Sequence, residues 1–262
     1  MIKLFRKVRQ QMLTENKFSK YLLYAVGEIF LVVIGILIAL NINNWNTDQQ
    51  LRKEEVKYLQ KLKVDLQADL QNLDAFIIAR NEKVSSALAL LEMPMPDNEE
   101  AEFKLDNLIN SLFHWKEYAP RTNTLQELTS SAKLSILQND SIKTLLLDIE
   151  AKNLLESTGN EHMKREFHKY LYDRHTVLRE LSPTMDTRAT TIAMRPVRNT
   201  LITPEQLLIL NKQSEAFLTD LTVRNGLKLA ALNNAHLAGM YKILILETER
   251  LIGFIDEDLK EK

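Results

Sequence analysis

The chain is poor in the residues that interrupt helices. No glycine lies between Gly35 and Gly159, and no proline precedes Pro94. Its six Gly and six Pro make up about 5% of 262 residues, against about 12% in an average protein. Aromatic residues are only 7% of the chain, whereas helix-forming Leu, Ala, Lys, Glu and Gln are abundant. An all-α fold is therefore expected, and a β-sandwich, a barrel, a dinucleotide-binding fold and a Gly-rich phosphate loop are not.

Composition also excludes several kinds of site. The chain has no Cys, which excludes a disulfide scaffold, thiol catalysis and a Cys-ligated zinc or iron–sulfur centre. Its net charge of −1 argues against binding nucleic acid by bulk charge. We therefore expect no cofactor and no nucleic-acid partner.

One segment has the length and composition of a membrane span. Residues 21–40 read YLLYAVGEIFLVVIGILIAL, in which Glu28 is the only charge. About twenty apolar residues cross the hydrocarbon core of a bilayer. Tyr residues at the start of the run and Trp45 after it suit the aromatic belts at the two membrane interfaces. The pattern predicts a transmembrane helix over residues 21–43, with the lipid bilayer as a partner.

A cleaved signal peptide is the alternative interpretation. The basic start of the chain and the apolar run of residues 29–40 fit it. However, the sequence Asn-Ile-Asn-Asn-Trp that follows Leu40 offers no small-x-small cleavage site. The sequence therefore favours an uncleaved signal anchor.

Charge around the apolar run predicts its orientation. Residues 1–20 contain six Lys or Arg and one Glu, a net charge of +5 that leaves −6 for the other 242 residues. Only three Lys or Arg follow the run within about 17 residues. The positive-inside rule then places the N-terminus in the cytoplasm and residues 46–262 outside it.

The basic stretch itself has apolar residues at helical spacing. It is therefore predicted to form an amphipathic segment over residues 1–20 that lies on the anionic cytosolic leaflet. The alternative interpretation is that its positive charges only set the topology of the span.

Two stretches of sequence resemble a known family. The basic start is followed by Tyr-Ala-x-Gly-Glu-Ile, Val-Val-Ile-Gly-Ile-Leu-Ile-Ala-Leu and Asn-Asn-Trp-Asn within the first 46 residues. A weaker similarity covers TLQELTSSAKL at residues 124–134 and continues to Asn-Asp at 139–140, with Gly in many relatives at the position of Ala132. Both resemble an uncharacterised, single-pass membrane protein family of Bacteroidota. The resemblance implies a bacterial inner-membrane location with a periplasmic C-terminal domain, and it implies no activity.

Residues 44–262 are predicted to form an extracytoplasmic α-helical domain. Apolar residues recur at steps of three and four from Leu59 to Leu91, with a gap near Arg80, which predicts a long stalk helix over residues 46–93. A coiled coil is one interpretation of this stripe, and packing against the later helices of the same chain is the favoured one.

Later signals divide the rest of this domain. Residues 183–203 lack periodicity and are predicted to form a long loop. Thr-Pro-Glu-Gln at residues 203–206 has the pattern of a capping box with Pro at the first helical position. The helical stretch 204–258 that follows is expected to divide at Asn225-Gly226. Four charged residues exclude a second span at residues 237–255.

Three groups of residues are candidate sites. Glu28, Gly35 and Ala39 share one face of the predicted span, where two small residues four apart permit close helix contact and the acid is available to hydrogen-bond across it. The alternative is that Glu28 reaches the headgroups or is protonated.

Arginines in the predicted loop are a possible anion-binding group, because Arg side chains bind carboxylates and phosphates in bidentate fashion. These are Arg188, Arg195 and Arg198.

The third group contains possible metal ligands, and it is better explained as a solvated helix face. Its members are His162, Glu166, His168, Asp173 and His175, but they match no metal-binding helix motif and are mixed with Lys and Arg. We therefore expect no metal site. No Gly-flanked nucleophile turn and no paired-carboxylate motif is present either, so we expect no enzyme activity.

The sequence thus leads to one principal function and one alternative. The principal function is a membrane-anchored helical interaction protein, an adaptor or accessory subunit of a bacterial envelope complex, with a protein partner or a second copy bound through the transmembrane helix. The alternative is an extracytoplasmic helical bundle that senses a ligand and signals through a partner.

Overall fold

The computed structural model of the chain is helical throughout. It describes residues 18–114, 117–185, 198 and 202–260. The fold is 86% helical, and no strand occurs among the described residues. The predicted all-α class is therefore confirmed. Most of the predicted basic segment 1–20 lies outside the described residues.

The described part of the chain forms seven α-helices. In chain order they are α1 Phe18–Glu92, α2 Glu99–Phe113, α3 Asn123–Ser130, α4 Asp140–Phe167, α5 Asp173–Leu178, α6 Pro204–Thr219 and α7 Leu221–Lys260. A 3₁₀ turn covers Leu134–Ile136, and a π-helical turn, His168–Tyr172, joins α4 to α5. The chain divides into two compact units, residues 1–57 and residues 58–262.

A local capping signal predicted the start of one helix correctly. Thr203 Oγ1 accepts a hydrogen bond from the backbone N–H of Gln206 at 3.2 Å, and Gln206 Oε1 accepts one from the Thr203 N–H at 2.8 Å. This is the predicted capping box, with Pro204 in the first turn. Asn139 caps α4 in a similar way, through the N–H of Ser141 at 3.0 Å.

The predicted division at Gly226 is wrong. The last helical stretch breaks at Asp220 instead, where the carboxylate accepts a hydrogen bond from the Val223 N–H at 3.0 Å and begins α7. Gly226 lies inside α7 at a close contact, where an added Cβ would be 2.9 Å from Leu171 Cδ2 and 2.9 Å from Tyr170 Cβ. This glycine therefore permits tight packing rather than ending a helix.

The second unit contains two hydrophobic clusters, to which α1 and α7 both contribute. The first cluster includes α1 residues up to Phe76 and α7 residues from Leu237 onwards. The second cluster includes α1 residues from Ala87 onwards and α7 residues up to Ala231. The stripe on α1 thus packs against later helices of the same chain, as favoured above. Leu88 departs from the predicted stripe, because it is 48% exposed while Ala87 and Leu90 face the core.

Candidate functional site

α1 has an uncovered apolar surface within the first unit. The large apolar side chains from Val26 to Trp45 are between 37% and 68% exposed. One helix among the described residues is long and apolar enough to cross a membrane, and its most apolar window has a mean hydropathy of 2.5 with none of it buried. An apolar surface of this size is typical of contact with lipid or with another protein.

Glu28, Gly35 and Ala39 all lie on this part of α1. At 100° per residue, Gly35 and Ala39 each lie about 20° from Glu28 around the helix, on opposite sides. A Cβ built at Gly35 meets no atom within 4 Å, and Ala39 is exposed. The face that carries the small residues is thus not covered by the described part of the chain at these two positions.

A buried polar layer separates the two hydrophobic clusters of the second unit. Along α1 it comes after Phe76 and before Ala87, and along α7 it comes after Ala231 and before Leu237. We define the polar layer by five residues that are at least nine-tenths buried: Arg80 and Lys83 of α1, Glu156 and Asn160 of α4, and Asn234 of α7.

Both cations of the polar layer donate hydrogen bonds to neutral acceptors. Arg80 donates from Nη1 to Asn234 Oδ1 at 3.2 Å and from Nη2 to Asn160 Oδ1 at 3.5 Å. Lys83 Nζ donates to the carbonyl of Leu112 at 2.6 Å. Arg80 and Lys83 also line the same internal cavity, whose volume is about 20 Å³.

Burial shifts the pKa values of two groups in the polar layer towards neutrality. Burial, and secondarily the charge of Arg80, lowers the pKa of Lys83 to about 8. Burial raises the pKa of Glu156 to about 7, against an opposing effect of Arg80. Both carboxylate oxygens of Glu156 lack a hydrogen-bond partner among the described residues. The polar layer therefore changes charge within the physiological pH range.

A second buried charge cluster is fully paired. Arg179 donates from Nη1 to Asp106 Oδ1 at 2.5 Å, from Nη2 to Glu102 Oε2 at 3.1 Å and from Nε to Ser214 Oγ at 2.9 Å. Thr184 donates to Asp106 from both its backbone N–H and its hydroxyl. The three charged side chains are at most 1% exposed. This cluster ties the segment after α5 to α2 and α6, which is a structural role.

Neither the polar layer nor the Arg179 cluster was predicted from the sequence. The gap in the α1 stripe near Arg80 was the available signal, since that position is occupied by a buried cation. On α2 the apolar side chains of Phe103 and Leu108 are only partly buried, whereas Glu102 and Asp106 are buried. Two acids four residues apart on the face of Leu105 and Ile109 were the corresponding signal.

Comparison with known proteins gave one match. The profile of a family of unknown function, DUF6090, matches residues 28–186, more than half of the chain. The chain belongs to the DUF6090 family. No curated protein and no solved structure matches it. The DUF6090 match includes residues 28–46 of the first resemblance and all of the weaker one at 124–140.

The weaker motif attaches α3 to α1 in this DUF6090 protein. Asp65 Oδ2 accepts hydrogen bonds from the Thr124 hydroxyl at 2.6 Å and from its N–H at 3.2 Å. Glu127 accepts from the Tyr58 hydroxyl at 3.0 Å and from Lys61 Nζ at 2.9 Å. These contacts explain the motif by packing between helices rather than by chemistry on a ligand.

Ala132, within the weaker motif, has a backbone conformation that is typical of glycine. Its φ is 56°, the left-handed conformation that favours glycine. The Lys133 N–H donates to the Leu128 carbonyl at 2.8 Å and the Ala132 N–H donates to the Thr129 carbonyl at 3.2 Å, which form a Schellman motif at the end of α3.

The arginines of the predicted anion site fall mainly outside the described residues. Arg188 and Arg195 lie there, together with most of the predicted loop 183–203. Arg198 is described, and its Nε is 3.3 Å from Glu99 Oε1, with the guanidinium 5.8 Å from the centre of the Phe103 ring. An acidic residue and an aromatic ring therefore contact the one arginine of this group that the structure describes.

The histidines of the possible metal group do not share one face. His168 is exposed, whereas His175 is only 1% exposed and lies 5.2 Å from the Phe113 ring and 5.1 Å from the Phe217 ring. The expectation that His175 lies on a solvated face is wrong, because the π-helical turn between the two histidines changes the register of the helix. Burial, then Arg179, lowers the pKa of His175 to about 4. No group of three or more His, Asp or Glu suited to a metal occurs among the described residues.

Proposed function

We propose that this chain is a membrane-anchored helical interaction protein, an adaptor or accessory subunit of a bacterial envelope complex. The observation that supports this proposal most is the uncovered apolar surface of α1 from Val26 to Trp45. Membership of a family of unknown function is compatible with it and adds no activity.

The proposed location is the bacterial inner membrane, with residues 1–20 in the cytoplasm and residues 46–262 in the periplasm. Six Lys or Arg before the apolar run against three after it support this orientation. Because the chain has no Cys, single introduced cysteines report without background. A cysteine at Lys262 should react with membrane-impermeant maleimide in spheroplasts and one at Lys3 should not; reaction at position 262 only after lysis would reverse the orientation.

The proposed contact with a partner uses the face of Glu28, Gly35 and Ala39. The open surface at Gly35 leaves room for a second helix, from another copy or from a partner protein. Crosslinking through single cysteines along the span tests this contact. Gly35→Leu and Glu28→Leu should each abolish the crosslinks, whereas Gly27→Leu, about 100° away from Glu28 around the helix, should preserve them. Unchanged crosslinks in both test variants would refute the contact.

The protein partner itself is tested by affinity purification in mild detergent followed by mass spectrometry. The proposal predicts either a stoichiometric partner that depends on Gly35 or crosslinked copies of the chain. A monodisperse monomer without crosslinks or partner would contradict it.

A second candidate function is the ligand-sensing helical bundle that signals through a partner. Its support is the group of buried charged side chains inside the second unit. Saturable stabilisation by a small molecule would distinguish this function from that of an adaptor.

A further inference from the structure

His175 is a buried titratable residue without a hydrogen-bond partner. Its side chain is 1% exposed, and neither ring nitrogen has a partner among the described residues. The rings of Phe113 on α2 and Phe217 on α6 contact the imidazole edge-to-face, with 5.2 Å and 5.1 Å between ring centres. Because a buried charge without a polar partner is costly, the imidazole is neutral in the folded protein.

A neighbouring charge also opposes the protonation of His175. Arg179 lies one turn further along the chain, and its backbone N–H donates to the His175 carbonyl at 3.0 Å. Burial, and secondarily the positive charge of Arg179, lowers the pKa of His175 to about 4 from an ordinary value of 6.5. The folded state therefore resists a proton that a histidine in water accepts below about pH 6.5.

The charged groups around α5 are engaged with partners other than the imidazole. The contacts are those of Arg179 with Glu102 and Asp106, Arg174 with Asp220, Lys83 with the Leu112 carbonyl and Arg224 with the Leu218 carbonyl. The imidazole takes part in none of them. A proton on the buried ring would thus add a cation beside Arg179 without adding a hydrogen bond.

Residues 179–185, which follow α5, are held to α2 by polar contacts. Besides the bonds of the first residue, Thr184 donates to Asp106 from its N–H and its hydroxyl, and Asn110 Nδ2 donates to the Ser182 hydroxyl at 2.9 Å. The first hydrophobic cluster contains no described residue of α5 or of this segment. The segment can therefore separate from α2 while that cluster stays intact.

We propose that His175 is an acid-sensitive latch, whose protonation releases α5 and residues 179–185 from α2 and α6. In the released state the imidazole reaches water and binds a proton, which prevents its return between the rings of Phe113 and Phe217. Release would uncover these two rings. This inference does not depend on the function proposed above.

Hydrogen–deuterium exchange of the full chain in detergent micelles, read by mass spectrometry, tests the latch. The open state should bind the proton with a pKa of 6.5 and the closed state with a pKa of about 4. After correction for intrinsic exchange rates, the opening constant within residues 173–185 should therefore rise about tenfold from pH 7.5 to pH 5.5. Peptides from residues 237–255 should show no such rise, and an equal rise there would indicate global unfolding and overturn the latch.

Two histidine variants separate the latch from other effects of acid. His175→Phe replaces the imidazole with a ring that cannot be protonated, and it should abolish the dependence on pH. His168→Phe is the matched control, since it removes an exposed histidine from the π-helical turn just before α5, and it should retain the tenfold rise. An undiminished rise in His175→Phe would assign the dependence to another group and refute the proposal.

A third variant keeps the proposal testable if His175→Phe does not fold. His175→Gln retains a neutral polar side chain that cannot be protonated in this pH range. Its opening constant should be the same at pH 7.5 and pH 5.5, whatever its absolute value. A tenfold rise in this variant would contradict the latch as well.

Discussion

Helix α1 carries two apolar surfaces, of which one is exposed and the other is mostly covered by other helices. Between Val26 and Trp45 apolar side chains surround the helix, and every large one is exposed. Between Leu59 and Leu90 they form one stripe, which the polar layer interrupts, and other helices cover most of this stripe. The distribution of apolar side chains around the helix axis, rather than apolar content alone, therefore distinguishes a helix suited to lipid from one suited to a protein core.

The largest effect is expected where the second unit depends on buried charge, a feature that residues 26–45 of α1 lack. Arg179→Met leaves the carboxylates of Glu102 and Asp106 buried without their cation. We expect the free energy of unfolding to fall by about 3–5 kcal/mol in urea titration. Arg198→Met, which removes an exposed ion pair with Glu99, should cost less than about 1 kcal/mol. Similar losses in the two variants would contradict the assignment of a buried cluster.

A matched pair of leucine truncations tests the comparison within α1 itself. Leu73 is 1% exposed and Leu37 is 59% exposed. Leu73→Ala should lower the free energy of unfolding of the second unit by about 2–5 kcal/mol, because it leaves a cavity in the first hydrophobic cluster. Leu37→Ala should change it by less than about 0.5 kcal/mol. A comparable loss for Leu37→Ala would mean that this part of α1 packs on protein.

The polar layer should make the stability of the second unit depend on pH. Glu156 has a higher pKa in the folded state, about 7, than its ordinary value of 4.5. The folded state therefore binds its proton more tightly, so this stabilisation is complete below about pH 4.5 and is lost as the pH rises through 7, a change of about 3 kcal/mol.

Glu156→Gln isolates this contribution. The variant should match the wild type near pH 4 and be more stable than it near pH 8, in urea titrations at both pH values. His175 and Lys83 also titrate between these limits, but they are present in both proteins and largely cancel in the difference. A difference that does not change with pH would contradict a buried carboxylate at this position.

The smallest effect concerns two glycines of α7. A Cβ at Gly226 would lie 2.9 Å from atoms of Tyr170 and Leu171, whereas one at Gly239 meets nothing within 4 Å. Gly226→Ala should therefore destabilise the second unit by about 1–3 kcal/mol, and Gly239→Ala should stabilise it by about 1 kcal/mol through helix propensity. Thermal unfolding of the two variants measures both signs, and an equal shift in both would show that Gly226 is not a packing contact.

Features encoded locally could be predicted from the sequence. The all-α class follows from the scarcity of Gly and Pro, and the start of α6 follows from four adjacent residues, Thr203 to Gln206. The long helix was predicted from its stripe. Each of these depends on neighbours within a few turns of the same helix.

Features made by distant residues could not be predicted. Arg80 meets Asn234 across 154 residues of sequence, and Arg179 meets Glu102 across 77. Such buried charges look like ordinary surface residues until their partners are known. Gly226 similarly carries the signal of a helix break, and only its contact with Leu171 reveals a packing role.

We propose that residues 21–43 cross a bilayer while the second unit folds on its own core. Alkaline carbonate extraction of bacterial membranes that contain the full chain distinguishes a membrane-spanning helix from a peripheral one. We predict that the chain stays in the membrane pellet and that Val33→Lys combined with Ile36→Lys, which costs about 3 kcal/mol per charge at mid-membrane, releases it as a folded helical protein. Release of the wild-type chain into the soluble fraction would contradict the claim.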